Sequence, residues 1–256
     1  MFLLIIKNEL VKISASSVSW ILMGALLLPP ILVLIFIYPM GYDDFLQRIQ
    51  STTNDPNPYN YVFKWFQLVF NFLIVPFCTI LLLWTLEIER VAMGWKTLLV
   101  LPVKSKHILY GKFVAVLIVL VISVSACFIL FYGVIVLLKV TKADWPFLQF
   151  VMPGFFSILM LASYAFMLCI PATTLVFTLS FFIKSPSALI IAATFASFIP
   201  VKINPFRLHQ DALKQFWNTL FNGQLDRGEI VVPFLLAISS ILLLSLLINK
   251  ALSNLK

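Results

Sequence analysis

The sequence predicts an all-α integral membrane protein: six transmembrane helices, an N-terminal interfacial helix, and an outer re-entrant or amphipathic hairpin between the fifth and sixth spans. Composition is the first reason. Of 256 residues, 62% are apolar and 11% charged, against roughly 45–50% and about 25% in soluble domains. Both departures exclude a water-soluble enzyme, and 25 Phe beside only 8 Gly exclude collagen-like and disordered chains. The second reason is patterning: six stretches lack any Asp, Glu, Lys or Arg, namely 18–38, 66–86, 113–138, 155–183, 187–201 and 230–249. At about 20 residues per span, residues 1–256 form a single transmembrane domain, with no room for a soluble catalytic one.

Residues 1–14 are too charged to span. Phe2, Ile5, Ile6, Glu9, Leu10 and Ile13 share one helical face, with Lys7, Asn8 and Lys12 opposite, the pattern of a helix lying along the inner leaflet. The opening MFLLIIK is too short a run for a cleavable signal. The first four charge-free stretches are long enough to cross as helices, the conformation that pairs every backbone polar group within the segment. Pro29-Pro30, Pro76 and Pro171 interrupt three of them, and each proline removes a donor and favours a kink. Residues 155–183 number 29, or about 43 Å at about 1.5 Å per residue, so that span tilts or bends. Residues 187–201 number 15, about 22 Å, and are expected to form a broken or partly re-entrant fifth element after a turn at Lys184–Pro186. Asn54–Pro58 reads as a turn-rich outer loop.

Orientation follows from the loops. With both termini cytoplasmic, the inner segments carry ten basic residues and three acidic ones, and the outer segments eight and seven. The basic ten concentrate in short loops, which favours this orientation in the plasma membrane. The net charge of +8 is therefore read as membrane orientation and anionic headgroups, with no nucleic-acid partner.

Catalytic and cofactor signals are missing. No phosphate-binding glycine motif is present, His107 and His209 fall on opposite sides of the membrane, and no buried Ser has triad partners. Cys78, Cys127 and Cys169 are scattered through apolar runs and read as small buried hydrophobes. Gln67, Asn71, Ser123, Ser125, Thr173, Thr174 and Thr178 lie inside spans, where helix–helix hydrogen bonding is favoured over cargo contact. Ion-coupled carriers place ionisable groups within the bilayer. These charge-free spans hold none, so uphill transport must draw its energy from another polypeptide.

The entry point for that energy is the cytoplasmic segment 87–112. Ile88, Val91, Ala92, Trp95, Leu98 and Leu99 recur at helical steps, with Glu89, Arg90, Lys96 and Thr97 opposite, and Pro102 stops the pattern. Two readings stand side by side: a helix that docks in a groove of a soluble partner, and one that lies on lipid. An outer segment shows a similar stripe. Phe206, Leu213, Phe216, Trp217, Leu220 and Phe221 face one way, with Arg207, Gln210, Asp211, Lys214 and Asn218 the other. An interfacial anchor is an equal reading for Trp217. For the aromatic second span (Phe66, Phe70, Phe72, Phe77), lipid-facing side chains are favoured over a cargo route.

An N-terminal inner-leaflet helix, the acidic exit Glu87, Glu89, Arg90, the Leu101-Pro102-Val103 stretch, the Tyr110-Gly111-Lys112 entry into the third span and the short turn at Lys184–Pro186 occur in a fixed order. In this the whole chain resembles the permeases of the type-2 ABC exporter family. Asn8-Glu9-Leu10, Lys12 and Trp20 make it most similar to the branch linked to lantibiotic or antimicrobial-peptide export and immunity. Ser14–Ser17 stands where relatives carry more basic residues, a departure that bears on how the N-terminal helix docks. The resemblance implies a homo- or heterodimer of permeases over separate ATPase subunits, which bind the ATP and Mg; this chain holds no cofactor. It further implies that Glu87, Glu89, Arg90, Val91, Trp95, Leu98, Leu99 and Pro102 couple to the ATPase. Phe206, Leu213, Phe216, Trp217 and Leu220 would then cap the exit as an outer gate, and the first, second and fifth spans would form the dimer seam. The expected function is a permease subunit of an ATP-driven exporter of an amphipathic or hydrophobic cargo, a peptide above all. The rivals are a non-transporting scaffold or sensor subunit and, less favoured, an intramembrane enzyme.

Overall fold

The computed structural model describes residues 2–52, 57–91, 105–142, 145–182, 191, 213–219, 234–235 and 237–246. The described residues are mostly helical, with no strand among them. Helix α1 is Phe2–Ala15, α2 Ser17–Leu26, α3 Leu28–Ile37, α4 Tyr42–Thr52, α5 Pro58–Val91, α6 Ser105–Thr141 and α7 Phe155–Phe182, with one 3-10 turn at Pro146–Leu148. Among the described residues, four helical segments are long and apolar enough to cross a membrane: Ser17–Ile37, Pro58–Leu86, His107–Thr141 and Phe155–Ser180. They correspond to the first four expected spans. The fifth, 187–201, lies outside the described residues apart from Ile191; of the sixth, the apolar helix Ala237–Leu246 is described.

The first span is two helices in line. It breaks at Leu27, whose N–H bonds to the Gly24 carbonyl at 3.0 Å. Pro29 and Pro30 have no N–H, so they sit in the first turn of α3, where no intrahelical donor is required. Pro76 and Pro171, by contrast, lie inside unbroken helices. Leu26, Pro29, Pro30, Val33 and Ile37 form the buried stripe, and α3 packs on α5 and α6.

Both following spans outrun their charge-free stretches. Helix α5 has 34 residues and α6 has 37, or about 51 and 56 Å at about 1.5 Å per residue. The hydrocarbon layer is about 30 Å thick, so both helices carry charged turns beyond it: Lys64 and Glu87–Arg90 on α5, Lys106, Lys112 and Lys139 on α6. Helix α6 is apolar around its circumference and packs on α1, α2, α3, α5 and α7, as expected of a central helix.

The core is largely aromatic. Phe66 stacks on Phe131 at 4.0 Å and meets Phe128 edge-on at 5.0 Å; Phe70 meets Phe128 edge-on at 5.3 Å. This corrects the lipid-facing reading of the second-span aromatics. Phe66, Phe70 and Phe77 are buried, and Phe72 alone, 49% exposed, faces outward. The in-span hydroxyls also differ from expectation. Ser123, Thr173, Thr174 and Thr178 donate to carbonyls three or four residues back in their own helices, which satisfies them without a neighbouring helix. All three cysteines are buried, and none is in a disulfide.

Helix α4, in the segment read as outer loop, was not anticipated. Asp43 and Asp44 occupy its first turn, where carboxylates favour the helix dipole, and Phe45 and Ile49 are buried. Phe45 packs on Trp145 at 4.3 Å, Tyr61 at 5.5 Å and Phe147 at 5.6 Å. The Tyr59 hydroxyl donates to the Phe147 carbonyl at 3.0 Å. Lys142 Nζ lies 5.1 Å from the Tyr38 ring and 4.8 Å from that of Trp145, a cation held between aromatic faces. These groups close one end of the bundle.

Candidate functional site

Two sites were expected, one at each end. At the elbow end, α5 continues as helix past the apolar stretch and carries Glu87, Glu89, Arg90 and Val91 on its last turn. Helix α6 begins at Ser105. Trp95, Leu98, Leu99 and Pro102 lie outside the described residues. The described residues on either side of this segment make specific contacts. Trp84, just before the acidic exit, donates its indole N–H to Ser16 Oγ at 2.9 Å. The Trp20 indole N–H donates to the Ser14 carbonyl at 2.8 Å. The serines that stand where basic residues were expected are thus bonded by two tryptophans, one from α2 and one from α5.

On the other flank, Lys112 is 1% exposed, and its ammonium lies 3.2 Å from Glu9 Oε2. The second oxygen of Glu9 receives Lys12 at 2.8 Å. A buried carboxylate and ammonium are tolerable only when paired, and this pairing explains why Glu9 sits on the apolar face of α1. The stripe expected to rest on lipid is therefore turned to protein: Ile6, Glu9 and Ile13 are buried and α1 packs on α6. Leu3, Leu4 and Val11 remain exposed. A Cβ added at Gly111 would stand 2.6 Å from Ile5 Cγ2, so the two helix backbones approach where only glycine fits. Sequence reading missed the pair, though Glu9 on an apolar face and Lys112 at the lip of a charge-free run were its visible signals.

At the opposite end, residues 213–219 are helical. Leu213, Phe216 and Trp217 are buried and Lys214 and Asn218 exposed, as the amphipathic pattern required. Trp217 stacks on Phe63 at 3.9 Å and 3° and donates to Asn60 Oδ1 at 2.7 Å. Phe216 stacks on Tyr164 at 4.2 Å and 3°. Trp217 is thereby a packed anchor on α5 and not an interfacial one. Phe206 and Leu220 lie outside the described residues. Between this helix and α7 runs an open apolar groove of about 480 Å³, lined by Phe156, Leu159, Met160, Ser163, Tyr164, Met167, Phe216 and Phe234.

The family model for the ABC-2 family transporter protein matches residues 5–201. The chain belongs to this family. No curated protein and no solved structure matches it. ABC-2 family transporter proteins are typically non-catalytic transmembrane subunits served by an ABC ATPase, and the four apolar crossings agree with a multi-pass membrane protein of that kind. The matched stretch includes most of α1, the 87–112 segment and the paired Glu9 and Lys112.

Proposed function

We propose that this chain is the permease subunit of an ATP-driven exporter that moves an amphipathic or hydrophobic cargo, in particular a peptide, out of the cell. Two permeases, identical or paired with a second kind, would sit in the plasma membrane over ATPase subunits that bind ATP and Mg. Both termini would be cytoplasmic. The observation that carries the reading is the unbroken α5, which runs from the aromatic end of the bundle to Glu87–Val91 within one rigid element. A push received at the 87–103 segment would travel along α5 and α6 as a rigid-body tilt. It would reach Trp217 and Phe216, which rest on α5 and α7 at the far end. Cargo with an apolar surface would use the groove beside α7 on its way out.

The test purifies the chain with its partner ABC ATPase and compares wild type with Glu87→Lys and Trp95→Asp. The reading expects permease-stimulated ATP turnover and complex recovery to fall in both variants. Unchanged recovery and turnover would remove the coupling role from this segment. A stable wild-type complex in vesicles whose ATP turnover never responds to an amphipathic peptide would favour the scaffold reading.

A further inference from the structure

The N-terminal helix touches the bundle at the two places where the chain leaves for, and returns from, the 87–104 segment. Ser16, the single residue between α1 and α2, accepts from Trp84, three residues before Glu87. Ile5 and Glu9 engage Gly111 and Lys112, in the second turn of α6. From this we infer that α1 is a strut across the mouth of the elbow, and that Glu9, Lys112, Ser16 and Trp84 are positioning residues for the coupling segment. The inference rests on the coupling reading above and adds the part that keeps the segment's two ends at a fixed separation.

Chemistry explains why a strut would use a buried ion pair. Apolar side chains of similar volume would hold α1 on α6 at least as firmly, because desolvating two charges consumes much of their attraction. They would not fix its register, since an apolar surface tolerates sliding and rotation. The Glu9 carboxylate, with one oxygen on Lys12 of its own helix and the other on the buried Lys112, has a single position in which all three charges are satisfied. Gly111 adds a steric register mark: Ile5 Cγ2 occupies the space of its absent side chain. The strut stays docked through the ATPase cycle, and relative motion of α5 and α6 at the elbow is thereby forbidden, so that an applied push moves both.

The experiment uses the full chain with its ATPase in nanodiscs, with ATP as the probe. In Glu9→Gln/Lys112→Met the two buried charges leave together and the exposed Lys12 is left to water, so fold and complex recovery are retained, and stimulated ATP turnover is expected to drop at least about fivefold, the lower range of a site-to-site coupling. Ile5→Cys/Gly111→Cys supplies a charge-independent tie. The two Cβ positions are 3.5 Å apart, within disulfide range, and loss of the isoleucine Cγ2 relieves the contact. Oxidation of this pair on the neutral background is expected to restore turnover, and on the otherwise wild-type background to leave it unchanged. Wild-type turnover in the neutral variant, or arrest on oxidation of the tied wild type, overturns the strut. If the neutral variant does not fold, the oxidised tie on the wild-type background still decides. An unmodified complex with no stimulated turnover fails the coupling reading itself, before any variant is compared.

Discussion

Gly111 and Phe72 mark the two extremes of what one residue can cost here. Gly111→Ala would place a methyl 2.6 Å from Ile5 Cγ2, an overpacking that costs about 1–3 kcal/mol. Thermal unfolding in detergent should show the loss, and Ile5→Ala added to it should return most of the loss. Among the second-span phenylalanines the expectation is uneven. Phe66→Ala, which removes a ring stacked on Phe131 and edge-on to Phe128, should cost about 3–5 kcal/mol. Phe72→Ala, at a 49% exposed position, should cost a small fraction of that. Equal losses would mean that this helix is rotated from the face described. The sequence could place Glu9 on an apolar face, and so mark it as unusual. It could not name Lys112 as the partner, because no local rule links residues 103 positions apart.

The elements divide by how their signals arise. Charge-free runs made the first four spans readable, since the hydrocarbon layer selects length and polarity directly. Helix ends were not readable in this way. Helices α5 and α6 continue through Lys64, Glu87, Lys106 and Lys139 because backbone hydrogen bonding is indifferent to where the lipid ends. Helix α4 was concealed by its own polarity, although Phe45 and Ile49 stand four apart behind two N-terminal aspartates. Helix 213–219 was legible from its stripe, but its partner was not, because stacking of Trp217 on Phe63 depends on tertiary approach. Trp217→Ala should undock this element. Loss of the stack, the buried volume and the bond to Asn60 together should cost about 3–5 kcal/mol, and limited trypsin digestion after Lys214, held in this helix, should speed up. Asn60→Ala should reproduce only a minor part, since one hydrogen bond contributes about 0.5–1.5 kcal/mol net.

At the scale of the molecule, the prediction is one of sidedness. All three native cysteines are buried, so a membrane-impermeant thiol reagent should leave the wild-type chain unlabelled in intact cells. Single cysteines at Ser51 and Lys7, both at exposed positions, should then separate. Ser51→Cys should react from outside, and Lys7→Cys only after permeabilisation. The reverse pattern would invert the charge-count orientation and move the elbow to the wrong side for any ATPase. The family was legible from the order of loose motifs, two of which fall among the described residues: Glu87 in the last turns of α5, and Tyr110-Gly111-Lys112 where α6 meets α1. The physical role of that last motif required the fold, since a glycine and a lysine in sequence say nothing of the helix that lies against them.

The central helix α6 has one further consequence. The same 37-residue rod carries the Lys112 anchor near its start, the Phe128 and Phe131 rings in mid-course and, one residue beyond its end, the Lys142 ammonium between Tyr38 and Trp145. A screw motion of that rod by one side-chain step would break all three at once. Slow rotation about its own axis is thereby denied to it, and whatever travel the cycle demands must be taken by the bundle swinging with it as a single spoke.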